Sequence, residues 1–559
     1  MIKKLAIFNP SIGAGLGKNV FGKDVANHDL FRSLLLYGGL DDITFLNPSA
    51  VPADKIRTSL IQDRACTTKV NSTGIMSVRP AIESGTLLRG TADLINLAWH
   101  RREHAAVSNY SLMGLIHTTA PASIRNYIGE TLIAPIMPWD ALICTSPSVQ
   151  SAMQTMFDEW HDYLAARFGG TTRTAPLLPL IPLGVEAQNF AQNKTTKVGG
   201  AQLRMKLGVG EDDMLVLWVG RLSFFEKAFP QPMFLAVEAA ARLSGKKVHF
   251  AMAGWFPDGA AGEKMYREAA ALQAPSVKLH MIDGNDKATL RQAWAGADVF
   301  ISLVDNIQET FGITPIEAMA SGLPVVVSDW DGYNYTVRDG IDGFLIPTLI
   351  GSASSQTADL ITQHNFGLKT YQQYVGVVAQ HTAVNIKIAA ARLADLFASK
   401  HLRETMGAAG QKRVAETFDW KIVAPQYVEL ANHLAEVRQS IVAASPVCRP
   451  LASGQHPLKR DPFVAFAGFA THILTPTSVL TLAPDFDDAA FERATKIPLN
   501  AFAANWRANA TETKALLESL KSSGPTPFQH LCAQFPAARH EPVKLTCLWL
   551  AKLGYIDWL

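Results

Sequence analysis

The sequence has little net charge and few cysteines. Its 51 Lys and Arg residues against 49 Asp and Glu residues leave a formal net charge of +2, so no global field draws the protein onto nucleic acid or an anionic membrane. Five cysteines among 559 residues lie far apart without a CxxC spacing, which argues against a disulfide framework and a structural zinc site. We therefore expect a cytoplasmic protein, with peripheral contact at the inner face of a membrane left open.

Long apolar runs are also lacking. The opening MIKKLAIFNPSIGAG has an apolar stretch too short for a signal peptide, and polar residues or prolines interrupt every later run. The composition, 48% hydrophobic and 18% charged, is typical of a packed globular protein. One hydrophobic core rarely extends over so long a chain, so we expect two to four domains of roughly 100 to 200 residues.

Short apolar runs, each followed by a turn and a helical pattern, indicate an α/β architecture. The first group of runs comprises KKLAIFNP, LMGLIHTT and WDALICTS. The second comprises LVLWVGR, KVHFAMAG, VKLHMID, ADVFISLV, PVVVSD and GFLIP. This alternation predicts two doubly wound parallel sheets covered by helices. Such sheets bind ligands beyond the carboxyl ends of their strands, so we expect the site in the cleft between the two halves.

A proline-rich stretch, TAPLLPLIPLGVEAQNF, breaks this alternation and marks a domain boundary. We predict one Rossmann-like domain over residues 1–183 and a second over residues 184–420. After residue 347 the pattern changes, because GSASSQTADL is typical of a loop and helical periodicity follows in NIKIAAARLADLFA and WKIVAPQYVELANHLAEVR. Residues 443–559 are predicted to form a linker and an accessory domain.

The accessory domain contains three amphipathic helical segments and a short final strand, and it resembles the core of a winged helix. Lys544 and Lys552 are nearly alone among apolar residues in its last helical segment. Those apolar residues, which we expect to be core, include Leu545, Leu548, Trp549 and Leu550. A winged helix that reads DNA carries a basic recognition helix. We therefore expect a packing role or a protein partner, and no nucleic acid.

The amino-terminal glycines do not form a recognised nucleotide loop. GKNVFGK at residues 17–23 fits the GxxxxGK spacing, but Asp24 stands where a Walker loop needs Ser or Thr to hold magnesium. Gly13, Gly15 and Gly17 alternate and lack the GxGxxG spacing. The segment is either a loop whose backbone N–H groups approach an anion or a sugar, or a plain strand-to-helix turn.

Three polar side chains follow predicted strands. VGRLSFFEK at residues 219–227 supplies Arg221 and Lys227, which suit a diphosphate if they converge and are otherwise solvated surface charges. His117 ends the apolar run in YSLMGLIHTTA. It is either a cleft residue or a hydrogen-bonded core histidine.

Glu309 and Glu317 lie eight positions apart in ETFGITPIEAMASGLPVV. The TPIE segment, residues 314–317, fits a capping box with threonine at the N-cap and proline at the first helical position. A helix N-terminus carries positive partial charge, and with Arg221 and Lys227 it would form an anion site. We expect these charges to keep both glutamates ionised, unlike a glycosidase acid/base pair. Two carboxylates beside an anion site suit the hydroxyls of a ribose and a hexose.

Over approximately residues 1–440 the chain resembles the retaining family-4 glycosyltransferases, which have the GT-B fold. The E-x7-E element from Glu309 to Glu317 is the most specific feature. The supporting motifs, in the family's order, are IPLGVE at residues 181–186, VGRL at 219–222 with Lys227 beyond it, DGIDGFLIP at 339–347 and FDW at 418–420. Glu186 stands where the family usually has aspartate. The resemblance implies two domains facing a cleft, the first completed by the helix at about residues 421–440.

The resemblance also implies roles for individual residues. Arg221 and Lys227 would bind the donor diphosphate, Glu317 the ribose and Glu309 the donor-sugar hydroxyls. His117 would lie near the anomeric carbon, which makes His117 and Glu309 the catalytic candidates. The remaining donor-binding candidates are Gly13, Gly15, Phe311, Gly312 and Ile313. No metal is expected, because the two cations and the helix N-terminus would neutralise the leaving diphosphate.

The leading hypothesis is a retaining hexosyltransferase. It would move a sugar from a nucleotide-diphospho-sugar, a UDP-sugar before others, to a glycan, lipopolysaccharide or glycolipid acceptor, and it would need no cofactor. The alternatives are a GT-B nucleotide-sugar epimerase and a sugar-nucleotide-binding or regulatory protein whose accessory domain recruits a partner. Donor turnover separates the enzymes from the binding protein.

Overall fold

The computed structural model describes residues 2–10, 22–49, 51–62, 64–170, 174–444 and 454–559. The chain divides into two compact units, Met1–Gln455 and His456–Leu559. Of the helices described, none has the length and apolar composition needed to span a bilayer.

The strands of the described residues fall into two large and two small sheets. They are β1 Lys4–Phe8, β2 Asp42–Asn47, β3 Lys69–Gly74, β4 Thr86–Arg89, β5 Ser111–Leu115, β6 Ala141–Ile143, β7 Met214–Val219, β8 Val248–Gly254, β9 Lys278–Asp283, β10 Val299–Ser302, β11 Val325–Ser328, β12 Gly343–Ile346, β13 Thr348–Leu349, β14 Ala383–Val384, β15 Val479–Leu482, β16 Thr526–Pro527 and β17 Ile556–Trp558.

The helices of these residues alternate with the strands up to β12 and dominate afterwards. They are α1 Gly22–Tyr37, α2 Ala53–Ile61, α3 Arg79–Ser84, α4 Ile95–His104, α5 Ala122–Thr131, α6 Pro147–Phe168, α7 Lys194–Leu207, α8 Gln231–Ser244, α9 Gly259–Gln273, α10 Lys287–Gly296, α11 Ile313–Ala320, α12 Tyr333–Thr336, α13 Ser355–Asn365, α14 Tyr371–Gln380, α15 Ile386–Ala398, α16 Lys400–Arg413, α17 Trp420–Ala444, α18 Pro462–Ala465, α19 Asp488–Thr495, α20 Ala510–Ser523, α21 Phe528–Cys532 and α22 His540–Lys552.

Two six-stranded parallel sheets form the first unit. The first sheet has the order β3-β2-β1-β4-β5-β6 and the second β9-β8-β7-β10-β11-β12, so each half shows the 3-2-1-4-5-6 order of a doubly wound Rossmann-like domain. Central strands such as β7 and β10 are buried on both faces and are accordingly continuous apolar runs. The predicted α/β class, with two Rossmann-like halves of a GT-B fold, is confirmed.

The six strands predicted for the second half are all present, whereas β2, β3 and β4 of the first half were not predicted. β3, with the sequence KVNSTG, is an edge strand that buries no residue, and β4 has only four residues. Neither therefore carries a strong apolar signal. The loop predicted for GSASSQTADL is wrong in part, because Ser354 and Thr357 form a reciprocal capping box that starts α13 at Ser355.

The chain crosses back to the first half at its last long helix. α17 packs against α1 and β5, and the Arg438 guanidinium donates to the carbonyl of Gly85 at 3.0 Å. Just before α17, the backbone N–H of Val185 donates to the Phe418 carbonyl at 2.8 Å. The domain boundaries at residues 183, 420 and 443 stay predictions.

Glu186, the residue that departs from the family pattern, is buried near this crossing. Its carboxylate accepts hydrogen bonds from Arg64, at 2.5 Å, and from Tyr37, and Arg32 lies at 3.6 Å. Burial alone would raise the pKa of Glu186, but these three partners outweigh it and hold the pKa below its ordinary value. Glu186 thus anchors the start of the second half to α1.

The second unit combines helices with a small antiparallel sheet. α20, α21 and α22 pack around buried residues that include Leu516, Val543 and Leu550, and the sheet order is β16-β15-β17. The final strand thus pairs with β15, which precedes these helices. The prediction that Leu548 is core is wrong, since the helical period of α22 turns it outward and leaves it 37% exposed.

Candidate functional site

Arg221 lies directly beyond the carboxyl end of β7. Its Nη1 atom forms an ion pair with Glu226 Oε2 at 2.8 Å, and the two side chains are only 14% and 10% exposed. Glu226 also accepts a hydrogen bond from the Gln372 side chain at 3.2 Å. The alternative of a solvated surface charge therefore does not fit Arg221, whose guanidinium is held at the strand end in a fixed position.

Lys227 and Glu309 meet at the same edge of the sheet. Lys227 Nζ donates to Glu309 Oε2 at 3.2 Å, with 36% of the lysine and 15% of the glutamate side chain exposed. Such a partly exposed pair adds little to stability. The ion pair instead sets the positions of the Lys227 ammonium group and the Glu309 carboxylate at the loop between β10 and α11.

The helix α11 begins two residues earlier than the capping-box prediction, which is wrong. Gly312 is the N-cap, with φ +85°, and no side chain caps the helix. A left-handed glycine lets the chain turn sharply into the helix, so residues 314–317 lie within its first turns, where Pro315 is tolerated because its N–H would be unpaired anyway. The carboxylate of Glu317 is therefore not committed to capping.

Unpaired backbone donors gather at this helix start. Among the hydrogen bonds of the described residues, none uses the backbone N–H of Phe311, Gly312 or Ile313 as a donor. Phe311 is buried and makes an edge-to-face contact with Phe418, the ring centroids lying 6.0 Å apart. Unpaired N–H groups at the positive end of a helix favour anions, and the anion site expected at the start of α11 stays a prediction.

Glu317 departs from the predicted ionisation. Burial, reinforced by the carboxylate of Asp29 on α1, raises the pKa of Glu317 to about 7. Arg221 and Lys227 are each engaged by another carboxylate, and Glu317 forms no side-chain hydrogen bond with any described residue. The prediction that both glutamates are kept fully ionised is therefore wrong for Glu317, because desolvation outweighs the opposing charge of Lys287.

Asp331 is a site residue that sequence reasoning missed. It follows β11 in the left-handed region, with φ +45°, and its Oδ1 accepts a hydrogen bond from Ser146 Oγ of the first half at 3.2 Å. Burial and the nearby Glu309 carboxylate raise the pKa of Asp331 to about 7. The SDWDGY segment, with Asp331 before a glycine at a strand end, is the signal that could have found it.

His117 lies two residues beyond the carboxyl end of β5 in the first half. Its Nε2 atom lies 2.9 Å from the Gly90 carbonyl and 3.1 Å from Asn27 Oδ1, so the ring donates from Nε2 and keeps Nδ1 as an acceptor. Burial lowers the pKa of His117 to about 4. The ring is thus a neutral hydrogen-bond acceptor at physiological pH.

The two halves meet through the loop that carries Glu309. Thr310 Oγ1 donates to the His117 carbonyl at 2.8 Å, and Thr145 Oγ1 donates to the Thr310 carbonyl at 3.4 Å. The structure therefore brings the His117 loop against the segment that begins at Glu309. The candidates Gly13 and Gly15 lie outside the described residues.

Within the described ranges, no group of three or more His, Cys, Asp and Glu side chains is arranged to hold a metal ion. The polar groups of the site are instead two ion pairs, unpaired backbone donors, a neutral histidine and carboxylates with raised pKa values. Together they can bind an anion with hydroxyl-bearing groups on either side.

Comparison with known proteins places this site in a recognised domain type. Residues 201–364 match the family model described as Glycosyl transferases group 1. The matched range contains Arg221, Lys227, Glu309 and Glu317 and excludes His117. The strand order defines the second half as a Rossmann-like domain, and residues 201–364 within it are similar to the group 1 glycosyl transferases.

Individual relatives resemble only part of the chain. It is 30% identical over 180 residues to a D-inositol 3-phosphate glycosyltransferase of Geodermatophilus obscurus, which covers 30% of this chain and 36% of that protein. It is 29% identical over 184 residues to a phosphatidyl-myo-inositol mannosyltransferase of Mycobacterium leprae, which covers 33% of this chain and 38% of that protein. The matches thus span less than half the length of these curated relatives.

Among solved structures, the sucrose-phosphate synthase of Thermosynechococcus elongatus aligns with 79% of this chain and 100% of its own, with a TM-score of 0.46 and 17% identity. The assignment of the GT-B fold rests on the two strand orders and not on this superposition.

Proposed function

We propose that this chain is a retaining glycosyltransferase that moves a sugar from a nucleotide-diphospho-sugar to a glycan, lipopolysaccharide or glycolipid acceptor. The observation that carries the proposal is that Arg221, Lys227 and the start of α11 all follow β7 or β10, with Lys227 paired to Glu309 at 3.2 Å. The family match over residues 201–364 supports it. The donor proposed first is a UDP-sugar, and the reaction is placed in the cytoplasm, where such donors are used.

In this proposal the two cations receive the diphosphate. Arg221 and Lys227 are each held by one carboxylate, Glu226 and Glu309, at 2.8 and 3.2 Å. Both therefore stand in place before the donor arrives, which reduces the entropy that binding would otherwise cost. Backbone N–H groups at Phe311, Gly312 and Ile313 complete the anion site, so charge on the leaving diphosphate is stabilised without a required metal.

The carboxylates receive hydroxyl groups. Glu317, free of capping, accepts from the ribose hydroxyls in its ionised form, and Glu309 accepts from the donor sugar while it positions Lys227. Gly13 and Gly15 are proposed to approach the same donor. His117 accepts through Nδ1 near the anomeric carbon. Attack on the same face as the departing diphosphate would retain the anomeric configuration.

A donor panel tests the proposal. The full chain is incubated with UDP-, GDP- and ADP-sugars in the presence of glycan and glycolipid acceptors, and nucleotide release and the anomer of the product are followed. We expect one class of donor to release its nucleotide, and the product to keep the anomeric configuration of the donor sugar. Tight donor binding without turnover would favour a binding protein, and inversion at C2 or C4 of the sugar without transfer would favour an epimerase; either result overturns the proposal.

A further inference from the structure

Among the described residues, the second half of helix α6 contributes no fully buried side chain. The helix is 22 residues long, yet its buried residues are Val149, Met153 and Phe157, all in the first half. The later turns carry Trp160 and Tyr163, which are 37% and 52% exposed. Large aromatic side chains that stay partly exposed near the end of a helix are typical of a surface that binds a ligand.

These aromatics line a groove between α5 and α6, here called the α5–α6 groove. Its volume is about 560 Å³, and the residues that line it include Arg125, Glu130, Met156, Glu159, Trp160 and Tyr163. The Trp160 and Tyr163 rings are stacked, with centroids 5.0 Å apart and planes 12° apart. A Cβ atom built at Gly129 on α5 would lie 3.5 Å from Trp160 Nε1, so the glycine keeps the groove open.

The polar groups of the groove select a neutral ligand rich in hydroxyls. Glu130 and Glu159, from facing helices, form no ion pair with any described residue. The one cation among the lining residues, Arg125, donates from Nη2 to the Ala120 carbonyl at 3.0 Å and to Tyr374 Oη at 2.8 Å, while its Nε has no partner among the described residues. A sugar ring offers an apolar face to the aromatic pair and hydroxyl groups to the carboxylates.

The same polar groups disfavour an anionic ligand and a second copy of the chain as occupants of the groove. A phosphate group or an anionic lipid surface would meet two carboxylates that form no ion pair with a described residue, against the single guanidinium of Arg125. A second copy of the chain in a two-fold contact would place Glu130 and Glu159 close to their own equivalents, which like-charge repulsion opposes.

The groove lies beside a contact between the two halves. At its inner end Arg125 contacts Tyr374 of the second half, and Ala120, Tyr374 and Val375 form a small buried cluster with Ile307, two residues before Glu309. From Ala122 to Gly129 the α5 axis extends about 10 Å, at 1.5 Å per residue. A single sugar ring in the cleft cannot reach Trp160, whereas a chain of several rings can.

We propose that the α5–α6 groove is a glycan subsite that holds internal rings of an oligosaccharide acceptor whose end enters the cleft. The subsite itself stands on the groove; its link to the reaction rests on the proposed function. It follows that the acceptor is a glycan chain, and that a monosaccharide or a free polyol is a poor substitute.

Direct binding to the full chain tests the subsite without any donor. The probes are maltohexaose, cellohexaose, mannohexaose and chitohexaose, each with its monosaccharide as control, measured by titration calorimetry and saturation-transfer NMR. We expect at least one hexaose to bind and its monosaccharide not to bind. Trp160→Ala and Tyr163→Ala should each weaken binding about tenfold or more, as expected for aromatic anchors.

Two further variants separate the groove from general effects. Gly129→Leu should weaken binding of the hexaose to a similar extent, because the leucine side chain fills the groove. The same change raises the helix propensity of α5, so loss of helix would not explain the result. Phe168→Ala is the matched control, since Phe168 lies on the same helix, is 77% exposed and does not line the groove. It should keep the affinity within about twofold.

Several results would overturn the subsite. They are failure of every hexaose to bind, binding that Trp160→Ala leaves unchanged, and Trp160-dependent binding to phosphatidylglycerol–phosphatidylcholine vesicles or Trp160-dependent dimerisation. Nucleotide release, measured on the same preparations, reports separately on the proposed function. Hexaose binding without any donor turnover would uphold the groove and reject the glycosyltransferase, and the reverse result would do the opposite.

Discussion

The two Rossmann-like halves share one strand order but present different chemistry at their strand ends. The second half places the ion pairs Arg221–Glu226 and Lys227–Glu309 beyond β7 and β10. The first half places His117 beyond β5, where burial lowers the pKa of the imidazole to about 4, so this histidine is neutral near pH 7. The shared scaffold decides where polar groups meet, and the residues directly after each strand decide what those groups bind.

The largest effect is expected at Gly312, whose backbone conformation sets the start of α11 beside the charged residues of the second half. Gly312→Ala should abolish detectable transfer and lower the free energy of unfolding by about 3 kcal/mol, because φ is +85° and the new Cβ would lie 2.0 Å from Tyr333 Cε1. Nucleotide release and urea unfolding measure both effects.

Gly340→Ala is the matched control for that change. Gly340 has φ +71° but no atom within 4 Å of a built Cβ, so the variant should cost only about 1 kcal/mol and keep its activity. Equal behaviour of the two variants would show that the contact with Tyr333 does not fix the start of α11.

Removal of the guanidinium should come next in size. Arg221→Ala combined with Glu226→Gln, which avoids a buried unpaired carboxylate, should lower kcat/KM about 100- to 1000-fold, as expected for loss of a preorganised charge partner. The thermal midpoint should change little. Arg242→Ala, whose side chain is 70% exposed, serves as control, and a collapse of folding in the double variant would show that Arg221 is structural.

Glu317→Gln should produce a smaller, pH-dependent effect. Because the pKa of Glu317 is about 7, its ionised fraction rises from pH 6 to pH 8, and wild-type donor affinity should rise with it. The variant should bind about tenfold more weakly at pH 8 and lose this pH dependence. Calorimetric titration at several pH values measures both.

Asp331→Asn identifies the source of that pH dependence. The pKa of Asp331 is also about 7, so this variant removes the second carboxyl group that titrates in the same window. If Glu317 binds the ribose, Asp331→Asn keeps the rise in affinity with pH. Loss of the rise in Asp331→Asn, with Glu317→Gln unaffected, would assign it to Asp331 instead.

The smallest effect is expected at His117 in the first half. His117→Ala should reduce the rate of transfer about tenfold and should leave donor affinity unchanged. The loss should be the same at every pH from 5.5 to 8, since the ring is already neutral across that range. His117→Asn, which can present an amide oxygen near the Nδ1 position, should recover part of the loss. A change in the shape of the pH–rate profile would show that His117 titrates during the reaction.

The two halves also differ in how much of them could be predicted. In the second half, central parallel strands are buried on both faces and are visible as apolar runs, and the order of Arg221, Lys227, Glu309 and Glu317 is explicit in the sequence. In the first half, β3 is a polar edge strand and β4 has four residues, so pairing with neighbours and not composition defines them.

The errors at the site have physical causes that a linear pattern does not contain. The TPIE segment satisfies the capping-box pattern, but the left-handed Gly312 starts the helix earlier. The pKa of Glu317 depends on burial and on Asp29 from the other half, and desolvation cannot be read from neighbouring residues in the chain. The partner of Lys227, Glu309, likewise comes from a separate segment, whereas Glu226, the partner of Arg221, lies in the same VGRLSFFEK segment.

Calorimetric titration of UDP, GDP and ADP tests most directly whether the diphosphate binds to the charged residues of the second half and not to His117 of the first half. One of these nucleotides should bind the wild type, with an affinity about 100-fold lower in the Arg221→Ala, Glu226→Gln double variant and within about threefold in His117→Ala. Unchanged affinity in the double variant, or an equal loss in His117→Ala, would contradict the assignment of the diphosphate to the second half.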